Sequence, residues 1–380
     1  MTPAQLRKRI AVGFIVVLLV VVLNALLYQI PQANERLIAE IQQSLGASTL
    51  LECMGEIQEG RDPAYYPLLN RQPLREFVRR NPRTLTEKQK LEGVKFQYFT
   101  DRYRQIWSLT KESEAGNSPV VKGLNSPLDP YLDLKPEFEG MIQISVPTSD
   151  DLSLDERVEW AIRSLEFIEG YLGAGVGLMI DAHARNLLIN DWISMCRFLL
   201  VKIDNPGQLR QLAAAIEAVE PPLVAFKKTL RLEHVALLER VLRIRGAKAE
   251  GALLACLREP DLNYGLSQMK SRILKPDEPS EYIMHLPWYS IYWSTKFQPH
   301  GGHNPGLMAS RHLEAGIEFF RDAIDFRIAQ LEGGESTTSL SHSRVETSAS
   351  GEVWVIWNGD PPQHPYYETE HLFDPYRFPQ

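Results

Sequence analysis

The chain has 380 residues, of which 44% are apolar and 23% are charged, and its formal net charge is −7. This composition is ordinary for a globular protein, and the length suits one large domain or two smaller ones. A negative balance disfavours nucleic acid as a partner, because proteins that bind nucleic acid need clustered Lys and Arg. We therefore predict no nucleic-acid partner.

The first thirty residues have the pattern of a membrane anchor. A basic cluster at residues 7–9 precedes an apolar run at residues 10–30, which Asn24 interrupts late. The run is about 21 residues long, near the roughly 20 that span a hydrocarbon core. Because basic flanks stay in the cytoplasm, we expect residues 1–9 there, a single-pass helix over residues 10–30, and the bulk of the chain in the periplasm or outside the cell.

Two other interpretations compete with an uncleaved signal-anchor. A cleaved signal peptide has a shorter apolar region that ends in small residues, and the candidate cleavage position near Ala33 fits poorly. A buried core helix is the other alternative, but a run that is apolar on every face suits lipid better. The anchor is the favoured interpretation.

Residues 31–152 are predicted to hold membrane-proximal helices and a long loop. Apolar residues at helical spacing predict a helix over residues 32–45. A capping-box pattern at Thr84 opens a second helix, which ends near Glu112. The loop at residues 116–151 is rich in Gly, Pro, Ser and Asp, and a loop of that length is functional or poorly ordered.

Residues 153–332 are predicted to form a bundle of antiparallel helices. A capping box at Ser153 opens the first helix, and apolar periodicity with short turns marks the next ones. Short connections make consecutive helices antiparallel neighbours. The stretch at residues 259–310, rich in Pro, His and aromatic residues, is expected to be irregular. The helices are predicted at residues 153–172, 178–203, 208–219, 221–245 and 308–331.

The C-terminal part is predicted to contain a flexible polar linker at residues 333–350 and an aromatic, Pro-rich tail at residues 351–380. Residues 352–357 read as a short strand, in which Trp354 and Trp357 are three apart and therefore lie on opposite faces. The predicted fold class is thus mainly α. A transmembrane helix precedes an extracytoplasmic antiparallel bundle with irregular Pro- and aromatic-rich segments and a short C-terminal β element.

The apolar pattern resembles that of certain uncharacterised bacterial proteins with one N-terminal span and a helical outer domain. The likeness rests on the glycine-flanked helix that begins at Leu178, the hairpin around Pro221-Pro222, and the Asp-Pro-aromatic segment at Asp374. It covers about a third of the chain and involves no specific motif. The resemblance implies a bacterial protein and implies no activity.

No linear signature of catalysis is present. The sequence lacks a phosphate-binding P-loop, a dinucleotide-binding glycine motif, a zinc-protease helix motif and a nucleophile elbow. The cysteines Cys53, Cys196 and Cys256 have no C-x-x-C spacing, so neither a redox nor a zinc role has support. Cys196 and Cys256 lie in apolar helical patterns and are expected to be small buried side chains.

Histidines provide one candidate site. His300 and His303 flank a Gly-Gly pair, and His312 follows at the predicted start of a helix. Three neutral imidazoles can bind zinc and leave one position for water, with Glu314 as a base or a fourth ligand. The alternative is a surface loop that binds no metal. We predict no cofactor, and this cluster is the metal-site hypothesis.

An aromatic segment provides a second candidate site. Its six large side chains with nearby Pro287 suit surfaces that are apolar on one side and wet on the other. They are expected to pack as a lid on the bundle, to dock a protein, to stack on sugar rings, or to contact lipid headgroups. These residues are Tyr282, Trp288, Tyr289, Tyr292, Trp293 and Phe297.

A polar patch in the long helix is the third candidate. His183, Arg185 and Asn186 interrupt an apolar pattern, as either a functional patch or an internally satisfied polar spot in the bundle. Taken together, the sequence favours a non-enzymatic protein of the cell envelope that binds or scaffolds other proteins. The alternatives are a metal-dependent hydrolase that uses the three histidines, and a glycan- or peptidoglycan-binding protein that uses the aromatic segment.

Overall fold

A computed structural model describes eleven parts of the chain. They are residues 3–47, 52–53, 80, 105, 152–172, 179–246, 252–274, 303–333, 340–348, 351–362 and 370–379.

Most of the described residues are helical, and three short strands lie near the C-terminus. The prediction of a mainly α chain with a short C-terminal β element is confirmed. The helices are α1 (Pro3–Asn24), a π-helical turn (Ala25–Gln29), α2 (Ile30–Leu45), α3 (Leu154–Leu172), α4 (Met179–Lys202), α5 (Pro206–Glu217), α6 (Pro222–Gly246), α7 (Ala252–Leu274), α8 (His303–Leu331) and a 3-10 helix (Glu370–Phe373). The strands are β1 (Ser343–Thr347), β2 (Val353–Trp357) and β3 (Tyr376–Phe378).

Two compact units make up the chain. Unit 1 combines Met1–Cys53 with Arg231–His303, and unit 2 combines Met54–Leu230 with Asn304–Gln380. The chain passes from unit 2 to unit 1 within α6. The domain boundaries proposed from the sequence at residues 152, 332 and 350 stay predictions.

In unit 1 the first two helices follow one another through the π-helical turn. Within the described residues, no single helix combines the length and the apolar character that crossing a membrane requires. Helix α2 ends at Gly46, whose φ of 67° favours glycine and whose N–H donates to Gln42 O. Arg231 Nε donates to the otherwise orphaned Leu45 O at 2.7 Å, so α6 closes the end of α2.

Helix α7 corrects the expectation of an irregular chain from residue 259. It runs through Pro260, although an interior proline costs roughly 3 kcal/mol because it removes a backbone donor. Packing against α2 offsets that cost, since Leu262, Leu266 and Met269 are buried. The sequence rule that proline ends helices was therefore overridden by tertiary contacts.

Unit 2 is built around the antiparallel pair α3 and α4. The capping box is confirmed, because Ser153 N donates to Glu156 Oε2 at 2.9 Å and Glu156 N donates to Ser153 Oγ at 3.3 Å. The buried indole of Trp192 donates from Nε1 to Ala161 O at 2.8 Å. That bond fixes the two helices side by side deep in the core.

Helix α8 runs parallel to α4 on another side of the same core. Asn186 Nδ2 near the start of α4 donates to Ser310 Oγ at 3.0 Å, and Arg327 Nη2 donates to Ile203 O just past its end at 3.3 Å. The predicted turn before α5 is present, with Asn205 Oδ1 accepting from Gly207 N at 2.8 Å.

The three strands form an antiparallel sheet in the order β1-β2-β3. The predicted strand at residues 352–357 is confirmed, and it is central. Its Val355 pairs with Val345 on one side and with Tyr376 on the other. Residues 343–347 were expected to belong to a flexible linker and instead form β1, because pairing with β2 supplies the hydrogen bonds that a polar linker lacks.

The two strand tryptophans lie on opposite faces, as the spacing predicts. Trp357 is within ring contact of Phe319 on α8, at 5.9 Å between centroids. Trp354 lies under the guanidinium of Arg377, 4.9 Å from the ring centroid. One face of β2 therefore closes the helical core while the other carries a cation–π contact.

The C-terminal segment at residues 370–379 is fixed on α4 and α8. Arg197 Nη1 donates to Leu372 O at 3.0 Å, Arg197 also bonds Asp374 O, and its guanidinium lies 4.0 Å from the Tyr376 ring centroid. Burial raises the pKa of Tyr376 well above the usual range of a phenol. Leu372 fills the space that glycine leaves at Gly316.

Candidate functional site

The structure describes one imidazole of the predicted histidine cluster. His300 lies outside the described residues, and α8 begins at His303, earlier than the sequence predicted. Nine residues of helix separate positions 303 and 312, which is about 13.5 Å and two and a half turns. The two positions therefore lie on opposite sides of α8, and this geometry disfavours one ion bound by both. Within the described residues no cluster of three His, Cys, Asp or Glu side chains suits a metal.

His312 itself is buried and has a defined partner. Its Nδ1 lies 2.6 Å from Pro362 O, so Nδ1 carries the hydrogen and donates. The ring stands edge-on to Phe373, with 5.1 Å between centroids. Burial lowers the pKa of His312, and the Pro362 hydrogen bond opposes that shift. His312 therefore acts as a neutral link between α8 and the segment after β2.

The aromatic segment at residues 282–297 lies outside the described residues. Its six aromatic residues therefore stay a predicted partner- or ligand-binding surface. Cys196 is buried and free, as expected of a small apolar side chain, and burial raises the pKa of its thiol. Cys53 is also buried, and the Cys256 side chain is not among those described.

The predicted polar patch in α4 is an internally bonded centre of unit 2. Arg185 has no exposed surface, and it donates from Nε to Glu169 Oε1 at 2.7 Å and from Nη2 to Glu220 O at 2.7 Å. Asn186 bonds Ser310. Of the two interpretations offered for the patch, the described contacts fit the satisfied polar spot.

His183 precedes Arg185 by two positions on α4. It is half-buried, and that burial lowers its pKa. The carboxylate of Glu220 is bonded by Lys228, so the acidic residue that supplies a backbone acceptor to Arg185 is itself paired. The charges around this end of α4 compensate one another, which suits a structural role.

Unit 1 has a comparable polar centre that the sequence analysis did not single out. Asn34 has no exposed surface, and its Nδ2 donates to Glu259 O at 2.9 Å and to Glu259 Oε2 at 2.8 Å. Asn263 Nδ2 donates back to Asn34 Oδ1 at 2.8 Å. The sequence signal for this centre was an amide on the apolar face of α2. Ile38 follows Asn34 by four positions and is buried on the same face.

From Ile10 to its end, helix α1 exposes apolar side chains on all sides. Ile10, Phe14 and Leu18 are 63%, 68% and 54% exposed, although a side chain of this kind normally lies in a core. Positions 10–24 are exposed without a buried face, and the space where a Cβ would stand at Gly13 is open. Among the described residues, this uncovered apolar stretch of α1 is the strongest candidate for a functional surface.

Comparisons of the chain with protein-family models, with curated proteins and with solved structures find no match in any of the three. The resemblance to bacterial single-span proteins stays a prediction.

Proposed function

We propose that this protein is anchored in a membrane by its N-terminal helix and that its folded part binds or scaffolds other proteins of the cell envelope. The exposure of α1 supports the proposal most. Uncovered apolar area of that extent costs roughly 25 cal/mol for each Å² left in water, and lipid removes that cost.

The proposed anchor extends across three helical elements. It runs over residues 10–30, through α1, the π-helical turn and the first residue of α2, and its 21 residues give about 31 Å of helix. That length matches a hydrocarbon core of about 30 Å. The basic residues 7–9 then lie on the cytoplasmic side, and α2 emerges on the other side.

The first experiment tests the anchor. Full-length protein is fractionated and the membranes are washed at alkaline pH, with Val20→Asp compared against the unaltered chain. Asp at the centre of a span costs about 3 kcal/mol, so we expect Val20→Asp to lose much of its membrane fraction. Val224→Asp is the matched control, because it makes the same change at another exposed valine, which is 42% exposed on α6. Equal membrane fractions for both variants would contradict the anchor.

The second experiment tests the partner. Crosslinking and pull-down in mild detergent are carried out on the full chain and on a variant that lacks residues 282–299. We expect a defined set of envelope proteins that disappears with the deletion, because large aromatic side chains dominate docking surfaces. Recovery of the protein alone under crosslinking would contradict the scaffold interpretation and turn attention to the histidine hypothesis.

A further inference from the structure

One amide interrupts the apolar surface of α1. Asn24 is the last residue of that helix and is exposed, and its side chain makes no hydrogen bond within the described part of the chain. The midpoint of the proposed anchor is Val20, so Asn24 lies about 6 Å beyond it, inside a hydrocarbon core that extends about 15 Å to each side. An amide at that depth has no water to bond, and it is costly until a partner bonds it.

Asn24 ends a line of residues with the spacing of a coiled-coil seam. Its positions are alternately three and four apart, which places them on one face of α1, and every one of them is exposed. The space beside Gly13 is open, so a second helix can approach the backbone closely at that point. We call this line the α1 seam, and it consists of Ile10, Gly13, Val17, Val20 and Asn24.

The same spacing recurs in α2, where the amide is satisfied by another helix. Asn34, Ile38, Ile41 and Leu45 are again three or four apart, and they are the buried residues of α2. Asn263 on α7 donates from Nδ2 to Asn34 Oδ1 at 2.8 Å. In α2 an amide in this pattern therefore pairs with an amide of the helix that covers it. Among the described residues, no helix covers the α1 seam in the same way.

A second copy of the same helix supplies what Asn24 lacks. A carboxamide has N–H donors and an acceptor oxygen, so two asparagines at the same depth can each donate to the other. Two copies in one membrane have the same orientation, because the same basic flank fixes each of them. Ile10 and Val17 are β-branched and belong to the same series of seam positions as Asn24. That combination is typical of parallel two-stranded coiled coils.

We propose that the anchor helices of two copies of this chain associate in parallel along the α1 seam, with the two Asn24 amides hydrogen-bonded to each other. The inference rests on the proposed anchor, because the amide needs a partner only where water is absent. It goes beyond that proposal by naming one partner of the protein, which is a second copy of the chain.

Disulfide trapping in membranes tests the pairing. Val20→Cys places a thiol on the α1 seam, whereas Val22→Cys places one about 200° around the same helix. Seam side chains of a parallel pair face each other, so mild oxidation of full-length Val20→Cys should give a disulfide-linked dimer on a non-reducing gel. The unaltered chain measures crosslinking through the native cysteines, and Val22→Cys should not exceed that background.

Substitution of Asn24 tests the amide. Energy transfer between donor- and acceptor-labelled full-length copies in lipid vesicles measures their association. Asn24→Leu should weaken that association about three- to tenfold, which is the effect of losing an interhelical hydrogen bond in a membrane. Asn24→Gln keeps an amide and should retain most of the association. Val22→Leu is the control on the opposite face and should change nothing. Leucine suits lipid better than asparagine, so Asn24→Leu should keep its membrane fraction.

The outcomes separate this inference from the anchor. Loss of the unaltered chain from alkali-washed membranes would overturn both. Equal crosslinking of Val20→Cys and Val22→Cys in a chain that stays in the membrane would overturn the pairing alone, as would association that is unchanged by Asn24→Leu. Crosslinking of Val20→Cys to a different protein in place of its own copy would also overturn the pairing, and it would identify another membrane span as the occupant of the seam.

Discussion

At the scale of single residues, buried charge is concentrated at Arg185. Its guanidinium is fully desolvated, and the Glu169 carboxylate that balances it is only 11% exposed. Two ions in such a place stabilise a fold only as a pair, because either one alone keeps its full desolvation cost. Removal of Arg185 should therefore cost more stability than removal of an exposed arginine in the same unit.

Arg185→Met should destabilise the protein by about 3–5 kcal/mol, because it leaves Glu169 buried without its counter-charge. Arg163→Met is the matched control. It breaks a pair whose side chains are 37% and 57% exposed, and such pairs contribute about 0–1 kcal/mol. Both values are measured by chemical denaturation. Adding Glu169→Gln to Arg185→Met should restore part of the loss, and a double variant no more stable than Arg185→Met would contradict this account.

His312 should make stability depend on pH. Burial lowers its pKa in the folded state, whereas the unfolded chain has the ordinary value of 6.5. The unfolded state therefore takes up the proton first as the pH falls below 6.5, and the free energy of unfolding should fall over that window. The stability is fully present above pH 6.5.

The measurement is denaturation at a series of pH values between about 5 and 7.5, for the unaltered protein and for His312→Asn. The asparagine amide keeps a donor toward Pro362 and does not titrate, so the slope below pH 6.5 should decrease. His183, whose pKa is lowered by the same cause, is present in both proteins and cancels in the difference. An unchanged slope would show that His312 does not carry this dependence.

At the scale of elements, the junction between α8 and the 3-10 helix depends on the absence of a side chain. A Cβ at Gly316 would lie 2.9 Å from Leu372 Cγ and closer still to Cδ2. Leu372 is itself 1% exposed, so it has little room to move. Packing against Leu372 therefore requires glycine at this position. If that space were free, alanine would stabilise the helix by about 1 kcal/mol.

Gly316→Ala should lower the free energy of unfolding by about 1–2 kcal/mol, because overpacking outweighs the gain in helix propensity. Hydrogen exchange at residues 376–378 should rise as the segment loosens. In a Leu372→Ala background the same substitution should be neutral or stabilising, which a double-mutant cycle measures. Equal effects in both backgrounds would exclude the contact as the cause.

Elements with strong local signals were predictable from the sequence, and elements fixed by distant contacts were not. The capping box at Ser153 and the apolar strand at residues 352–357 are each specified by neighbouring residues in the sequence. Strand β1 and the part of α7 around Pro260 depend on distant contacts. A polar segment becomes a strand, and a proline is tolerated in a helix, only when another part of the chain packs against it. The spacing also predicted a helix start at residue 308. The helix α8 begins at His303, so His312 lies more than two turns inside it.

At the scale of the whole molecule, each unit joins segments that are far apart in sequence. In unit 1 the contact between Asn34 and Glu259 spans 225 positions, and in unit 2 the contact between Arg197 and Leu372 spans 175. Periodicity detects which face of a helix is buried but not which distant helix covers it. For this reason the apolar N-terminal run and the polar spot at Arg185 were found from the sequence, whereas Asn34 and Arg197 required the structure.

The position of β3 in the chain has a consequence for biosynthesis. Tyr376, Phe378 and Leu372 belong to the core of unit 2, yet a ribosome makes them after every other part of that core. Until they emerge, the nascent chain presents the apolar surfaces of α4 and α8 that they will cover. Folding of this unit is therefore completed after its other described elements have been synthesised, and chaperones that hold unfinished chains would act in that interval.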